Sequence, residues 1–334
     1  MADVAHEAGV SVASVSNFLN KQPYMSEAMA ARIAEAIDRL GYKVNSSARN
    51  LRSGRTRLLK LVIPDLRQVY FSELAEDILA EARQHGYGVI VESTTNNRAR
   101  ELESIASMGT HSADGLILSP LMMTVDDIAA LDGDYPLVLL GERLFGVNAP
   151  HVVIRNREGA AAATYHLLDA GCRRIAVVGA VPHPEHDFSS GSIRTHGYRE
   201  ALAARGIPCD DSLLIETQGW GSADGLVAVD TMLESGLQFD AVFALNDLLA
   251  WGVLRERGVA VPDDVRVIGF DDVEESAYMV PSLSTVNPGR EAIARLAVES
   301  IIQQVESGSR APAQTIEAPY SLSLRESSPA LACA

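Results

Sequence analysis

The sequence predicts two parts of different fold class: a small all-α N-terminal domain, then an α/β body of two doubly wound parallel-sheet lobes. Residues before about position 45 show helical periodicity punctuated by turn residues. From residue 58 onward, short apolar runs alternate with longer amphipathic runs, which is typical of parallel sheets covered by helices on both faces. About 270 residues of this alternation exceed one usual sheet, so we expect two lobes with a cleft between them.

The N-terminal stretch DVAHEAGVSVASVSNFLN, residues 3–20, predicts a helix-turn-helix in which Gly9-Val10 forms the turn and Ser11 caps the second helix. The apolar positions are Val4, Ala5, Ala8, Val15, Phe18 and Leu19. The outer side of the second helix carries small or polar groups that can approach base edges in a DNA major groove. Those residues are Val12, Ala13, Ser16 and Asn17. Taken alone, the pattern also fits a plain helical hairpin without a DNA role.

A third helix is predicted from a Ser26 cap to about Leu40, and Gly41 lies at its C-terminal end. Its expected inner stripe is Ala30, Ile33, Ala34, Ile37 and Leu40. Residues 45–57, NSSARNLRSGRTR, then carry four arginines and no acidic side chain. Composition alone favours a solvated linker for this segment, which is too short and polar for a stable isolated helix.

Charge divides the chain unequally. Residues 1–57 carry eight Lys/Arg and five Asp/Glu, about +3, while the whole chain carries −16. A basic N-terminal region on an otherwise acidic chain favours nucleic-acid binding through that region alone. No stretch approaches the roughly 20 apolar residues of a membrane span, and the N-terminus has no export signal. The three scattered cysteines fit a reducing compartment, so we expect a cytoplasmic protein.

The predicted strands of the body are Leu58–Pro64, Tyr87–Glu92, Gly115–Leu118, Leu137–Gly141, Ile175–Gly179, Ala241–Leu245 and Val265–Phe270. The predicted helices are Phe71–His85, Arg98–Ser107, Glu158–Ala170, His196–Arg205, Ser222–Glu234 and Asp247–Arg257. In such sheets, ligands bind beyond the carboxyl ends of the strands. No Walker loop or GxGxxG follows any strand, so no nucleotide cofactor is expected.

Polar and aromatic residues after several strands indicate a binding cleft. Asn246-Asp247 and Asp271-Asp272 follow two strands, Tyr70-Phe71 lies beyond the first, and Arg194 is expected just before a helix starting near Gly197. Trp220 lies in a Gly-flanked loop after the run Leu213–Glu216. A planar Arg, carboxylate acceptors and an aromatic surface suit a small hydroxylated or planar ligand. Each residue also has a structural alternative: a helix cap, a surface ion pair or ordinary packing.

Two segments resemble enzyme sites only superficially. His183, His186 and Asp187 could ligate a metal, but Pro184 interrupts a regular helix and the spacing matches no established metal site. Ser189-Ser190-Gly191 lacks the strand-turn-helix context of a nucleophile elbow. We therefore expect no catalytic residues, no metal and no cofactor.

The motifs DVAxxAGVSxxSVSxxLN, a third helix ending LGY, and NxxARxLxSGRT resemble those of the lactose-repressor/galactose-repressor (LacI/GalR) family of bacterial transcription regulators. The resemblance continues through YFSELAEDILAEARQHGYGV, GCRRIAVVG, RTHGYREAL and VIGFDDVEESAYMVPSLSTV, and so covers nearly the whole chain. It implies a helix-turn-helix headpiece on a sensor that is similar to periplasmic sugar-binding proteins. It also implies a homodimer that binds a near-palindromic double-stranded DNA operator and responds to a small effector.

The resemblance assigns roles by position. Val12, Ala13, Ser16 and Asn17 should face the major groove, and Ser11, Ser14 and Asn20 should contact phosphates. Asn45 to Ser53 should form a hinge helix, with Asn45, Ala48, Arg49, Leu51 and Arg52 at the DNA and Leu51 wedged into the minor groove. This replaces the linker interpretation, because folding of a marginal helix can be coupled to specific binding. The implied effector contacts are Tyr70, Phe71, Ser119, Arg194, Trp220, Asn246 and Asp271.

The implied domains are a headpiece (1–44), a hinge (45–57), a sensor (58–325) and a flexible tail (326–334). Within the sensor, 58–155 and 287–315 should form the N-lobe, and 156–284 and 316–325 the C-lobe. The tail has no leucine heptad, so no tetramerising helix is expected.

The sequence departs from the family at three positions. Asn17 stands where many members have Arg, Gly141 where a sugar-contacting Asp is frequent, and Arg155 where Asp commonly precedes Asn156. A sugar or sugar derivative remains the favoured effector, with a purine or nucleoside co-repressor as the alternative. More distant alternatives are a sugar-binding protein without DNA function and an α/β enzyme.

Overall fold

The computed structural model describes residues 1–19, 25–42, 55–110, 112–144, 146–182, 189–255 and 258–330. They form two compact units, Met1–Thr56 and Arg57–Ala334. The predicted hinge positions Asn45 to Ser53, the phosphate contact Asn20 and the loop from His183 to Asp187 lie outside the described residues.

The first unit contains three helices, α1 (Ala2–Glu7), α2 (Val12–Leu19) and α3 (Glu27–Leu40). Its core consists of Val4, Ala5, Ala8, Val15, Ile33 and Ala36. Ser26 caps α3 by accepting a hydrogen bond from the Met29 N–H, and Gly41 ends it in the left-handed conformation, as predicted. The predicted inner stripe is wrong at its last position. Leu40 is 45% exposed within the unit, and Ala36 occupies the core in its place.

The strands of the second unit are β1 (Leu58–Ile63), β2 (Gly88–Ser93), β3 (Gly115–Leu118), β4 (Leu137–Leu140), β5 (Pro150–Val153), β6 (Ile175–Val178), β7 (Leu214–Ile215), β8 (Ala241–Ala244), β9 (Arg266–Phe270), β10 (Ser284–Asn287), β11 (Gln314–Glu317) and β12 (Ser321–Ser323). Its helices are α4 (Val69–Gln84), α5 (Arg98–Ala106), α6 (Asn156–Asp169), α7 (Ser190–Ala204), α8 (Ser222–Glu234), α9 (Asp247–Arg255) and α10 (Arg290–Ser307). Short 3-10 segments are Ser107–Thr110, Val125–Leu131, Asp211–Leu213 and Glu274–Tyr278.

The strands form two six-stranded sheets, one in each lobe. The N-lobe sheet has the order β11-β5-β4-β3-β1-β2 and the C-lobe sheet the order β12-β10-β9-β8-β6-β7. All strand pairs are parallel except β10 with β12, which is antiparallel at an edge. The chain crosses between the lobes after β5, after β10 and after β11. The predicted fold class of two doubly wound lobes is confirmed.

The continuous apolar runs are explained by burial on both faces of each sheet. In β1, for example, Leu59, Leu61 and Ile63 pack toward α4 and α10, while Val62 belongs to the separate cluster around Leu116 on the opposite face. All four residues of β3, β4, β6 and β8 are buried. Burial on both faces fixes the positions of the strand ends, and therefore of the loops that follow them.

Several elements were not predicted or were placed wrongly. The predicted strands do not include β5, β7, β10, β11 or β12, and the long helix α10 was not predicted. It placed the start of α7 near Gly197, whereas the helix begins at Ser190, where the Ser189 hydroxyl accepts a hydrogen bond from the Ser192 N–H. Two glycines inside α7 lower its apparent helix propensity, which explains the error.

The expectation of a flexible tail from residue 326 is also wrong for the described residues of this segment. Ser327 and Ser328 are fully buried. Ser327 donates to the Val267 carbonyl and accepts from the Ser284 N–H, and the Ser328 hydroxyl lies 2.8 Å from His166 Nε2. These polar groups find partners in the C-lobe, so the segment is part of the fold.

Candidate functional site

The first candidate site is the outer face of α2. Gly9 has φ +62°, a conformation that favours glycine, and this allows the tight turn between α1 and α2. The Ser11 hydroxyl then accepts a hydrogen bond from the Ser14 N–H at 3.1 Å and caps α2, as predicted. Val15 is fully buried against α1 and α3, so the rotation of α2 about its axis is fixed.

This rotation determines which α2 side chains can meet DNA. Val12, Ala13 and Asn17 are exposed, and Ser16 is half-buried beside them. Val12 is 43% exposed although it is apolar, so it is available for contact with a thymine methyl group. Ser11 is exposed and Ser14 half-buried at the start of the helix. The face therefore carries both the predicted base-reading residues and two of the predicted phosphate contacts.

The second candidate site is the cleft between the two lobes of the second unit. The strand order of each sheet reverses once, between β1 and β3 in the N-lobe and between β6 and β8 in the C-lobe. Doubly wound sheets bind ligands at such switch points, beyond the carboxyl ends of the strands. Tyr70, Ser119, Arg194, Asn246 and Asp271 all lie on segments that follow strand ends.

Arg194 is the central side chain of the cleft. It lies inside α7, rather than before a helix as predicted, and it is only 4% exposed. Its Nε donates to Asn156 Oδ1 at 2.8 Å, its Nη1 donates to the Leu245 carbonyl, and its Nη2 lies 3.6 Å from Asp271 Oδ1. The guanidinium also stacks 3.6 Å from the centroid of the Phe270 ring. Contacts on several sides hold the planar donor group in one orientation.

Asp271 reaches the cleft through a strained turn. It has φ 124° and the following Asp272 has φ 51°, values that non-glycine residues rarely adopt. Asp272 is held by three donors, Asn287 Nδ2 at 2.9 Å, the Ser323 hydroxyl at 2.7 Å and Arg325 Nη2 at 2.7 Å. The two consecutive aspartates therefore have different roles. Asp272 anchors the turn, and Asp271 presents its carboxylate to Arg194.

Glu142 is a cleft residue that the sequence analysis missed. It follows β4, and its Oε1 accepts a hydrogen bond from the Ile154 N–H at 3.0 Å. Burial raises the pKa of Glu142 to about 7, while the Arg194 charge acts in the opposite direction. Burial likewise raises the pKa of Asp271 to about 7, again opposed by Arg194. Glu142 directly follows a predicted strand, as Asn246 and Asp271 do, but its burial beside Arg194 depends on residues remote in sequence.

Tyr70 and Phe71 lie at the start of α4 in a T-shaped contact, with ring centroids 5.3 Å apart. Burial raises the pKa of the Tyr70 hydroxyl, and the negative charge of Asp271 raises it further, so Tyr70 stays a neutral donor near these charges. Ser119 is half-buried directly after β3. Ser119 is assigned to the site by the position of its strand, which lies at the switch point of the N-lobe sheet.

Asn246 and Trp220 form the C-lobe side of the cleft. Asn246 Oδ1 accepts from the Leu249 N–H at 2.8 Å, so the helix-cap alternative considered for this residue is correct. Asn246 Nδ2 donates to the Trp220 carbonyl at 3.0 Å and thereby fixes the Trp220 loop. The Trp220 ring packs near Gly191 on α7, where a Cβ would meet the ring at 3.0 Å. Asn246 thus positions Trp220 beside the helix that carries Arg194.

One direct contact closes the cleft at one side. Glu73 Oε1 on α4 accepts a hydrogen bond from the Glu274 N–H of the C-lobe at 2.8 Å. Arg290, at the start of α10, pairs with Glu73 and with Asp77 Oδ2, the latter at 2.6 Å. This contact gives the two lobes a defined relative position that a ligand can favour or oppose.

Other site classes gain no support from the described ranges. Within them, no three His, Cys, Asp or Glu side chains are grouped as a metal site. Ser189 of the Ser-Ser-Gly segment serves as the cap of α7. None of the described helices is long and apolar enough to cross a membrane.

Comparison with known protein families gives two matches. Residues 1–45 match the family of bacterial regulatory proteins of the lacI type. Residues 164–328 match the periplasmic binding protein-like domain. The first match covers the helix-turn-helix, and the second covers most of the C-lobe with α10 and the two C-terminal strands.

Similar proteins extend these matches over most of the chain. The transcriptional regulator GalR of Salmonella typhimurium LT2 is 34% identical over 291 residues, covering 85% of this chain and 83% of GalR. The structure of a LacI-family transcriptional regulator from Sanguibacter keddieii is 40% identical, with a TM-score of 0.75, and covers 82% of this chain and 99% of its own. A complex of the transcriptional regulator CelR with cellobiose is 26% identical, with a TM-score of 0.70, and covers 97% of this chain and 98% of its own. The chain therefore belongs to the LacI/GalR family of DNA-binding transcriptional regulators, which are not enzymes.

Proposed function

We propose that this regulator is a homodimeric repressor whose affinity for a near-palindromic operator is controlled by a sugar or sugar derivative bound between the lobes of the sensor. The observation that carries the proposal is the fixed Arg194 guanidinium between Asn156 and Asp271. Rigid planar donors beside carboxylate acceptors match the paired hydroxyl groups of a sugar ring. The cellobiose complex of the similar protein CelR supports the same ligand class.

In this proposal, α2 reads the operator. Val12, Ala13, Ser16 and Asn17 face base edges, and Ser11, Ser14 and Asn20 contact phosphates. The hinge positions Asn45, Ala48, Arg49, Leu51 and Arg52 order on DNA, and Leu51 enters the minor groove at the operator centre. The small side chains on α2 allow its backbone to approach the bases closely. Since operator DNA lies in the bacterial cytoplasm, we place the protein there.

A second copy of the chain is the proposed partner of the sensor. A groove of about 470 Å³ along α4 is lined by the apolar side chains of Leu66, Leu79 and Val91 and also by Glu274. A few residues beyond Glu274, Tyr278 is 75% exposed and Val280 is 91% exposed. The lining of the groove also includes Glu73, Glu76, Asp77 and Arg290, so the groove is mixed in character. Exposed apolar groups beside such a groove are a feature of protein interfaces. Pairing through this face would present two reading helices to the two halves of a palindrome.

Ligand control follows from the lobe arrangement. Three chain crossings connect the lobes, and the hydrogen bond from the Glu274 N–H to Glu73 joins them directly. A ligand that contacts residues of both lobes stabilises one lobe angle over another. The coupling is reciprocal, so the ligand weakens operator binding only if it prefers the DNA-free arrangement.

The alternative effector is a purine or nucleoside that acts as a co-repressor. Tyr70, Phe71 and Trp220 could provide flat surfaces for a planar ring. The discriminating experiment measures operator binding by fluorescence anisotropy while cellobiose, galactose, ribose, adenine and guanine are titrated separately into the full-length protein. We expect one of the sugars to lower operator affinity. Tighter operator binding with a purine, and no change with any sugar, would contradict the sugar proposal.

A further inference from the structure

We propose that Glu142 makes the cleft selective for uncharged or amino-bearing polyols and against ligands that carry a phosphate or carboxylate group. This inference rests on the proposed sugar effector and specifies its chemical class. Glu142, which was not predicted to lie in the site, is on the segment immediately after β4.

The Glu142 carboxylate lies close to the buried polar groups of the cleft. Glu142 as a residue is half-buried, whereas Arg194 and Asp271 are almost completely buried. One oxygen of Glu142 is occupied by the Ile154 N–H. The pKa values of Tyr70 and Arg194 both respond to the charge of Glu142, which places the carboxylate near both residues. A ligand that contacts Tyr70 or Arg194 would therefore lie close to Glu142.

An incompletely paired amide lies next to this carboxylate. Asn156 is 1% exposed, and its Oδ1 accepts from Arg194 Nε. Its Nδ2 is close enough to Glu142 to favour the charged form of that carboxylate. No acceptor among the described residues, however, meets hydrogen-bond geometry with Asn156 Nδ2. Buried donors are rarely left unpaired, so a ligand hydroxyl bridging Asn156 and Glu142 would complete the site.

The positive charges near the cleft are already balanced by carboxylates of the protein. Arg194 faces Asp271 and Glu142, and Arg290 faces Glu73 and Asp77. An anionic ligand would therefore add negative charge beside Glu142 and Asp271 without a cation left to balance it, which disfavours its binding. Ligand hydroxyl or ammonium groups can instead donate to Glu142.

The test uses the full-length protein and isothermal titration calorimetry with matched compounds. The neutral probes are glucose, galactose, ribose and cellobiose. Each monosaccharide is compared with its terminal phosphate, and glucose and galactose also with the corresponding uronic acid and 2-amino sugar. We expect a neutral or amino sugar to bind at least tenfold more tightly than its anionic counterparts. Equal or tighter binding of an anionic counterpart would overturn the selectivity but leave the sugar site intact. No binding by any compound would overturn the proposed sugar effector and this inference together.

Variants at Glu142 separate its role from general folding. Glu142→Gln keeps an oxygen acceptor for the Ile154 N–H but removes the charge, and it should weaken binding of the neutral sugar about tenfold to a hundredfold. The same substitution should reduce the difference in affinity between neutral and anionic compounds. Glu234→Gln, at an exposed position ending α8, is the matched control and should leave both affinities unchanged. A Glu142→Gln protein with parental melting temperature and parental selectivity would refute the assignment.

Discussion

Replacement of Arg194 by alanine should destabilise the sensor and remove its response to ligand, while DNA binding by the headpiece survives. Arg194 is buried and makes specific contacts with Asn156, Leu245 and Asp271. Its removal leaves the Leu245 carbonyl and Asn156 Oδ1 without this donor and the Asp271 carboxylate without its neighbouring cation. It also removes the cation stacked on Phe270.

The expected size of the effect follows from these contacts. Breaking a buried ion pair by removing one partner costs about 3–5 kcal/mol, because the remaining charge is left without compensation. Asp271 already has a pKa of about 7, so it can take up a proton at neutral pH and relieve part of this cost. We therefore expect the free energy of unfolding to fall by about 3 kcal/mol, the lower end of this range. For a domain of this size, each kcal/mol lowers the melting temperature by about 2–4 °C, so the shift should be roughly 6–12 °C.

The assay is thermal unfolding of the full-length parent and variant, followed by operator binding at a temperature where both are folded. Arg205→Ala is the matched control, because Arg205 follows α7 and pairs with Asp169 at 2.7 Å while remaining 45% exposed. Exposed pairs contribute about 0–1 kcal/mol, so this control should melt within about 4 °C of the parent. An Arg194→Ala protein that melts with the control and keeps the parental ligand response would refute the reasoning.

Three other perturbations have defined outcomes. Leu51→Ala should weaken operator binding, measured by anisotropy, about tenfold or more, while ligand affinity, measured by calorimetry, stays unchanged. A variant with the operator affinity of the parent would contradict the minor-groove role of Leu51. Gly197→Ala should lower the free energy of unfolding by about 1–3 kcal/mol, because a Cβ at this position would lie 2.2 Å from the Arg157 carbonyl oxygen. Denaturant titrations measure this loss, and an unchanged free energy of unfolding would show that α6 and α7 are not rigidly packed. Glu142 and Asp271 have folded pKa values of about 7, above the values of 4.5 and 3.8 for free carboxyls, so between these values the folded state holds protons that the unfolded chain has released. Stability should therefore fall as pH rises from about 4.5 towards 7 and level off above that range. Melting temperatures from about pH 5 to pH 7 should decline less steeply in Glu142→Gln than in the parent, and identical slopes would contradict the pKa of Glu142.

Much of the fold was predictable because the physical signals are local. The strands around Leu61, Leu116 and Phe243 are buried on both faces, so they read as continuous apolar runs. The N-terminal helices carry caps and a turn glycine within a few residues of each other. By contrast, β10 (Ser284–Asn287) reads STVN and β11 (Gln314–Glu317) reads QTIE, and these polar sequences become strands only through pairing with distant segments.

The candidate site was predictable where residues follow strands directly. Asp271 and Asn246 were identified in this way, although the cap geometry of Asn246 depends on the observed contact with Leu249. The environment of Arg194 was not predictable, because the carbonyl of Leu245 and the amide of Asn156 come from elements remote in sequence. Glu142 also follows a predicted strand directly, but its burial beside Arg194, which gives it a role in the cleft, is reported by no local pattern.

The most direct test of the central claim is in-vitro selection of DNA from a random pool by the purified full-length protein, carried out both without ligand and with added purines. A regulator with paired reading helices and a Leu51 wedge should enrich a near-palindrome with a central CG step. The affinity of the parent protein for that sequence should then change when a ligand binds in the cleft, whereas the affinity of the Arg194→Ala protein should change little. Failure to enrich any sequence under either condition, or enrichment of an isolated half-site alone, would contradict a homodimeric operator-binding regulator.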